Sequence, residues 1–233
     1  MTVSRRPVAG ALILSAVVFS LLSCDREPEP PPPGSRSPTI ENASGEGLDA
    51  IEVGEGRRVV VLSHGANGTK EDFYELASGF SEAGWRAIAY DASGTSEQDR
   101  EEDLRAVVDH ARDTGARAVV LAGGSLGASL CLAMAEQLHA DAVVSLSAPS
   151  QSFGALQAAA GLRGTTPTFV AAAEDNEPFS EEARAIAEAA GVTPVIVTGN
   201  GHGTGMLSDH PDMIDTIVSF ADGSVAATGG GGG

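Results

Sequence analysis

One serine of the chain has the surroundings expected of a nucleophile. Ser125 is the central residue of Gly123-Gly124-Ser125-Leu126-Gly127, a G-x-S-x-G sequence. The apolar run 118–122 precedes it and predicts a buried strand, and the largely apolar residues 128–137 follow it and predict a buried helix. A serine on such a sharp strand-to-helix turn, a nucleophile elbow, presents its hydroxyl above the sheet. The alternative is a Gly-rich turn that binds nothing or holds a phosphate.

A serine hydroxyl is a weak nucleophile unless a base takes its proton. His202, which lies between two glycines, is the candidate base. Asp175 is the candidate acid, because a carboxylate can fix the tautomer of the imidazole and stabilise its charged form. Glu174 is the alternative acid. His64 is the alternative base, although we expect it to support its own loop instead.

Attack on a carbonyl group creates an oxyanion, which needs hydrogen-bond donors held in fixed positions. The N–H groups of Leu126 and Ala66 are the candidate donors of this oxyanion hole. The side-chain amide of Asn67 is a further candidate. These residue types together predict acyl transfer through a covalent intermediate on Ser125.

The elements that would position these residues alternate between strand and helix. Apolar runs without strict alternation, joined by amphipathic helices, predict a parallel sheet that is covered on both faces. Ligands bind at the carboxyl ends of the strands in such sheets. Ser125, Asp175 and His202 all follow predicted strands, in that chain order. The predicted strands are 58–62, 85–90, 118–122, 142–146, 168–173 and 192–197.

The order serine, acid, histidine is that of the α/β-hydrolases. The segment 48–220 resembles a small, lidless α/β-hydrolase, similar to dienelactone-hydrolase-like enzymes and small bacterial carboxylesterases. The resemblance rests on Ser63-His64-Gly65, the elbow at Ser125, Asp175 and Gly201-His202-Gly203. It implies an α/β-hydrolase fold, with a mostly parallel sheet and helices on both faces. It also implies a serine hydrolase acting on carboxylic esters, thioesters or lactones. Dienelactone hydrolases themselves carry a cysteine where this chain has Ser125.

The segment available for a lid is short. Enzymes of this superfamily often insert a lid between the strands that correspond to 142–146 and 168–173, and only residues 147–166 are available there. That length suffices for one short helix around residues 155–160, so we expect an open site that favours short, soluble acyl groups. No cofactor and no metal are expected, because neither a nucleotide motif nor a metal-site spacing is present. The residues expected to line the pocket are Phe153, Leu156, Phe179 and Met206.

The amino-terminal segment has the pattern of a bacterial lipoprotein signal peptide. Arg5 and Arg6 precede the apolar run 8–22, which is short for a membrane span, since ~20 residues are needed. The run ends in Leu21-Leu22-Ser23-Cys24, which resembles a lipobox. We therefore expect cleavage before Cys24, a lipid on that cysteine, and a protein anchored to the cell membrane outside the cytoplasm. A single spanning anchor that is never cleaved is the alternative.

These segments predict four parts of the chain: a signal peptide at 1–23, a Pro- and Glu-rich linker at 24–47, an α/β-hydrolase domain at 48–222 and a disordered Gly-rich tail at 223–233. The formal net charge of -18 argues against a nucleic-acid partner, because phosphate binding needs clustered Lys and Arg. The expected partners are a small-molecule ester and the membrane. The alternative function is a non-catalytic lipoprotein that uses the scaffold for binding or assembly.

The second cysteine of the chain, Cys131, lies in the helix predicted to follow the elbow. If Cys24 carries a lipid, Cys131 has no disulfide partner in the chain, which holds two cysteines. We expect Cys131 to be a small buried apolar residue.

Overall fold

The computed structural model describes residues 30–229. The predicted signal peptide, Cys24 and residues 230–233 lie outside this range. In chain order the strands are β1 (Ile40–Glu41), β2 (Gly47–Leu48), β3 (Ala50–Val53), β4 (Arg58–Ser63), β5 (Arg86–Tyr90), β6 (Ala118–Gly124), β7 (Ala142–Leu146), β8 (Thr168–Ala173) and β9 (Val195–Val197). The helices are α1 (Tyr74–Glu82), α2 (Glu97–Asp113), α3 (Leu126–Met134), α4 (Ala155–Leu162), α5 (Phe179–Ala190), α6 (Gly205–Asp209) and α7 (Asp212–Gly229).

One sheet organises the described part of the chain. Its seven strands lie in the order β3-β5-β4-β6-β7-β8-β9. Strand β3 is antiparallel to β5, and all the other neighbouring pairs are parallel. The central strands are buried on both faces, which is why they are continuous apolar runs instead of alternating ones. This architecture confirms the predicted mostly parallel sheet.

Helices cover the sheet on both faces, as predicted, and each face has its own apolar core. On one face, α2 to α5 pack on the sheet, and Leu104, Leu130 and Ile186 lie in that core. On the other face, α1, α6 and α7 pack on the sheet, and Phe80 and Ile217 lie in that core. Short runs of apolar residues spaced three and four apart give each helix the stripe that it buries.

The folded unit extends beyond the predicted amino-terminal boundary at residue 48. Strands β1 and β2 form a small antiparallel hairpin, and the backbone of Arg36 pairs with that of Glu52. The side chain of Asn42, in the hairpin turn, donates a hydrogen bond of 2.8 Å to the carboxylate of Asp103, which is fully buried on α2. Residues 36–47 therefore belong to the domain and not to a linker. Strands of two residues are too short for a periodic pattern to reveal.

The carboxyl-terminal boundary also lies further out than predicted. Helix α7 continues to Gly229, so the prediction of disorder is wrong for residues 223–229. The apolar stripe that buries Ala221 continues to Val225, which packs against the same core. The Ser224 hydroxyl donates to the Phe220 carbonyl oxygen at 2.8 Å, within the helix.

The connection from β7 to β8 holds the predicted single short helix. After a 3-10 turn at Ser152–Gly154, α4 buries Ala155, Ala159 and Leu162 in the core that it shares with α3 and α5. This helix is thus part of the layer on one face of the sheet. Within residues 30–229, no helix is long and apolar enough to cross a membrane.

Candidate active site

Ser125 lies on the predicted elbow, between the end of β6 and the start of α3. Its backbone angles are φ 54° and ψ -123°, a conformation that L-residues rarely adopt. The surrounding hydrogen bonds hold it there: the N–H of Ser125 donates to Leu146 O at 2.8 Å, and the N–H of Ala128 donates to Ser125 O at 2.9 Å. Strain of this kind persists only where neighbouring structure enforces it, and it often marks a functional position.

The two outer glycines of the motif are required by close approach of backbones. A Cβ on Gly123 would lie 2.3 Å from the carbonyl carbon of Gly127. A Cβ on Gly127 would lie 2.0 Å from the carbonyl oxygen of Ser63, at the end of the neighbouring strand β4. No side chain fits at either position, so the helix can start directly against the sheet only with glycine at both.

The structure brings His202 to Ser125. His202 lies in the loop between β9 and α6, and its Nε2 is 2.8 Å from Ser125 Oγ. The ring of Phe179, at the start of α5, packs against the imidazole with ring centroids 4.2 Å apart. Although His202 is exposed, desolvation by its surroundings lowers the pKa of its imidazole. The ring is therefore neutral at neutral pH, as a general base must be.

The partner of His202 on its other nitrogen is Asn176, and the predicted contact with Asp175 is wrong. His202 Nδ1 lies 2.8 Å from Asn176 Oδ1, whereas Asp175 is exposed. The reason is a tight turn after β8, closed by a hydrogen bond of 3.2 Å from the N–H of Asn176 to Ala173 O. Glu174 and Asp175 occupy the two corner positions of this turn and face solvent, and Asn176 comes out of the turn towards His202.

An asparagine can do part of what a carboxylate does at this position. Its carbonyl oxygen accepts the hydrogen bond from Nδ1–H of His202, which leaves Nε2 as the acceptor for the hydroxyl of Ser125. The tautomer is thus the one that a general base needs. The amide has no charge, so it does not stabilise an imidazolium as a carboxylate would. A His-Asn pair also serves papain-like proteases, in which a cysteine is the nucleophile.

The two candidate oxyanion donors come from different loops: Leu126 directly follows Ser125, and Ala66 lies in the loop after β4. Leu126 is the first residue of α3, so its N–H has no acceptor within that helix. Ala66 lines the cleft above Ser125, and a Cβ on its neighbour Gly65 would lie 3.2 Å from the Cβ of Ser125. Asn67 lines the same cleft. Their role as oxyanion donors remains a prediction.

His64 supports the loop that carries Ala66, as predicted. Its Nδ1–H donates to Gly65 O at 2.7 Å, and its Nε2 accepts from the N–H of Ala92 at 3.0 Å. One donor and one acceptor define a neutral ring, and burial lowers the pKa of His64 accordingly. Both ring nitrogens are occupied, so His64 is not positioned as a base for Ser125.

Sequence reasoning missed a second support of this loop. Arg100 of α2 is 4% exposed, and its guanidinium donates to His64 O at 3.2 Å and to Gly65 O at 3.5 Å. An arginine in the first turn of an amphipathic helix looks like a solvated residue. Its place in the sequence gave no signal, because the contact joins residues 36 positions apart.

The cleft at Ser125 is small, with a volume of about 260 Å³. The buried ring of Phe73 lies behind its wall. Of the residues predicted to line a pocket, Phe179 packs on His202, whereas Met206 is fully buried in the core and Phe153 and Leu156 pack against the core on the opposite face of the sheet. The lining residues are Gly65, Ala66, Asn67, Gly68, Asp72, Phe73, Gly124, Ser125, His202, Gly203 and Thr204.

The other chemically notable groups are accounted for within residues 30–229. Cys131 is a free, fully buried cysteine, and burial raises the pKa of its thiol to about 12. This confirms that it packs as a small apolar residue. No group of three or more His, Cys, Asp or Glu side chains in this range is arranged to hold a metal ion.

Comparison with known proteins agrees with the fold. Residues 58–177 match a family described as alpha/beta hydrolase fold. An esterase from Pyrococcus furiosus superposes with a TM-score of 0.69 at 13% identity, over 81% of this chain and 89% of that one. The esterase domain of a Rhodothermus marinus protein gives 0.66 at 17% identity, over 80% and 97%. A dienelactone hydrolase from Anabaena variabilis gives 0.61 at 18% identity, over 80% and 95%. No curated protein matches the sequence.

Proposed function

The chain belongs to the α/β-hydrolase fold family, and on that premise we propose that it is a serine hydrolase that cleaves small carboxylic esters. The observation that carries the proposal is the pair of 2.8 Å contacts that links Ser125 Oγ to His202 and His202 to Asn176. These contacts lie at a cleft with a strained elbow serine, which fold alone does not require. Thioesters and lactones are open to the same chemistry.

The proposed reaction has two halves. Ser125 Oγ attacks the carbonyl carbon of the ester while His202 Nε2 takes the hydroxyl proton, and the oxyanion accepts hydrogen bonds from the N–H groups of Leu126 and Ala66. His202 then gives the proton to the leaving alcohol, and an acyl-enzyme remains on Ser125. Water attacks this ester with His202 again as base, and the acid is released. Asn176 holds the imidazole in position throughout.

The lack of charge on Asn176, the partner of His202, favours a second candidate function, that of a ligand-binding protein. Without a carboxylate to stabilise the imidazolium, an elbow serine could belong to a protein that binds ligands in the cleft and does not turn them over. The contact between Asn176 and His202 still selects the base-competent tautomer, and this is why hydrolysis is the first proposal.

We also propose the location of the enzyme. A signal peptide at 1–23 would export the chain and be cleaved before Cys24. A lipid on Cys24 would then anchor the protein to the cell membrane outside the cytoplasm. The substrate would then be a small ester outside the cytoplasm.

A panel of p-nitrophenyl esters tests both the activity and the preference for short acyl groups. The cleft of about 260 Å³ is smaller than the roughly 300–1,000 Å³ of common ligand pockets. We expect kcat/KM to fall about tenfold or more from butyrate to dodecanoate. Ser125→Ala should remove about 10⁴-fold or more of the activity.

The result separates the two candidates. A folded protein that binds short esters but hydrolyses none would favour the binding protein. Hydrolysis that survives Ser125→Ala, or strong activation by an oil–water interface with long-chain esters preferred, would contradict the proposed hydrolase.

A further inference from the structure

We propose that the cleft selects esters that carry a positively charged group, and that Asp72 is the residue that recognises this charge. The inference rests on the proposed function, because it names a substrate class for the same site. It follows from the position of one carboxylate, from the lack of a partner for its charge, and from the neutral character of the remaining cleft wall.

Asp72 and Ser125 both line the cleft, and the loop that carries Gly65 and Gly68 lies between them. Its Oδ2 accepts a hydrogen bond from the N–H of Thr69 at 3.2 Å. A Cβ on Gly68 would lie 2.3 Å from the same oxygen and 3.4 Å from the nitrogen of Gly65. A Cβ on Gly65 would in turn lie 3.7 Å from Ser125 Oγ. A substrate bound at Ser125 over this loop therefore comes within the range of the carboxylate's charge.

The charge of Asp72 is not neutralised by a neighbouring cation. In the described range 30–229, no Lys, Arg or His nitrogen lies within ion-pair distance of Asp72. Lys70, the only lysine of the chain, is two residues away but binds Asp49 at 2.9 Å and Asp91 at 2.7 Å. Arg100 does not line the cleft and donates instead to the loop carbonyls behind it.

The rest of the lining adds no compensating charge. Among the lining residues His202 is the other ionisable group, and desolvation lowers the pKa of its imidazole, so the ring is neutral at neutral pH. Phe73, which is 1% exposed, closes the apolar wall behind Gly124, where a ring carbon would lie 3.7 Å from an added Cβ. A cleft with an apolar surface and one unpaired anion suits a small aliphatic cation such as a trimethylammonium group.

The magnitude follows from the charge and its distance. Asp72 is exposed, and a cation that reaches about 4 Å from a carboxylate in water gains roughly fivefold in binding over a neutral group of the same shape. An anionic substituent loses a comparable factor. The net charge of -18 also attracts cations from a distance, so the test must separate Asp72 from the field of the whole molecule.

The test uses pairs of esters that have the same shape and differ only in charge. Acetylcholine and the acetate in which tert-butyl replaces trimethylammonium place the charge on the alcohol. The methyl esters of trimethylammonio-butyrate and its tert-butyl isostere place it on the acyl chain. We expect the natural protein to prefer the cationic member of at least one pair about fivefold in kcat/KM, and Asp72→Asn to abolish that preference. Asparagine keeps an oxygen for the N–H of Thr69.

Glu82→Gln is the matched control. It removes one exposed carboxylate from the far end of α1, which does not line the cleft, and should leave the preference intact. Turnover of neutral esters without any cation preference, or a preference that survives Asp72→Asn, would overturn the inference and leave the proposed hydrolase standing.

A binding measurement gives a readout that does not need turnover. In the Ser125→Ala variant, NMR titration with acetylcholine and with its tert-butyl isostere should show the same fivefold difference in Kd, and Asp72→Asn should remove it. If the natural protein hydrolyses no ester while this difference is present, the proposed function fails and the cation site remains. If the difference is absent, the cation site is refuted.

Discussion

At the scale of single residues, the site combines a strained nucleophile with an uncharged partner for its base. Ser125 and His202 are placed as in an active serine hydrolase, with Nε2 of the imidazole 2.8 Å from the hydroxyl. Asn176 fixes the tautomer of His202 but brings no negative charge. Desolvation lowers the pKa of the His202 imidazole, and within residues 30–229 no carboxylate contacts the ring to raise it. An aspartate in this position normally both fixes the tautomer of the histidine and stabilises its imidazolium form. Asn176 can supply only the first of these two effects.

Asn176→Asp should separate them experimentally. The base works only when neutral, so kcat/KM of the natural protein should rise with pH through a limb below 6.5, the ordinary value for histidine. A carboxylate beside the ring favours imidazolium, so the variant's limb should move up by about one pH unit. Because the same charge stabilises the transition state, the plateau should rise about tenfold. The measurement is the pH profile of kcat/KM with p-nitrophenyl acetate.

Two further variants serve as controls for this prediction. Asn176→Ala leaves His202 without an orienting group and should cost about 10²-fold in kcat. Asp175→Asn changes an exposed side chain and should cost less than about twofold. A severe defect in Asp175→Asn, or a limb that moves to lower pH in Asn176→Asp, would show that the turn after β8 presents a different residue to His202 in solution.

The sequence predicted two of these three residues for physical reasons that did not extend to the third. Ser125 directly follows β6, His202 follows β9 after a short glycine-containing loop, and the ends of parallel strands meet at one edge of the sheet. The end of β8 is followed by four polar residues, Glu174, Asp175, Asn176 and Glu177. Which of these turns towards His202 depends on a hydrogen bond that closes the turn, and charge alone favoured the wrong one.

At the scale of elements, the oxyanion loop is held from behind by side chains that do not touch the cleft. His64 bonds to the loop with both ring nitrogens, and Arg100 of α2 donates to two of its carbonyl oxygens. A buried guanidinium is costly unless it is hydrogen-bonded, and its Nε has no partner in the described part of the chain. That the fold keeps this buried guanidinium despite its unpaired Nε is consistent with a role of Arg100 in positioning the N–H of Ala66.

Arg100→Met should therefore impair catalysis by displacing the loop. We expect kcat to fall about 10²-fold, the order of the loss of one oxyanion donor, with KM changed less than about threefold. Affinity for a boronic acid, which mimics the tetrahedral intermediate, should fall in parallel with kcat. Arg105→Met removes the same charge from the same helix away from the loop and is the control. Equal losses in both variants, or lost stability with unchanged kcat in the folded fraction, would contradict a positioning role.

The long elements of the fold were predictable from the sequence, whereas the short amino-terminal hairpin and the end of α7 were not. The parallel strands and the amphipathic helices were predictable because their apolar periods are long enough to recognise. The hairpin of β1 and β2 was not, because its fold depends on Asn42 reaching a buried aspartate 61 residues away. The end of α7 was obscured by the glycines that follow it, although the apolar stripe continues to Val225.

At the scale of the whole molecule, a compact acidic domain would be tethered by its amino terminus. The sheet places Ser125 and His202 at the carboxyl edge of its parallel strands, so the cleft opens at that edge. A tether through Cys24, as proposed, would concentrate the enzyme at a membrane.

The proposed anchor has a direct test. Cys24→Ser should prevent incorporation of labelled palmitate and move the protein from the membrane fraction to the soluble fraction, since the tether would then be lost. Cys131→Ser is the control, because that cysteine is buried in the core and should not change the fractionation. Mass spectrometry that finds Cys24 unmodified in the mature protein, or cleavage at another site, would exclude the lipid anchor.

Labelling with a fluorophosphonate tests the proposed covalent step on Ser125 most directly. We expect one adduct per chain, mapped by peptide mass spectrometry to Ser125. Labelling should be lost in Ser125→Ala and be slowed about 10²-fold or more in a folded His202→Ala, because the base that activates the hydroxyl is gone. Stoichiometric labelling that persists in Ser125→Ala, or that proceeds at the natural rate in His202→Ala, would contradict it.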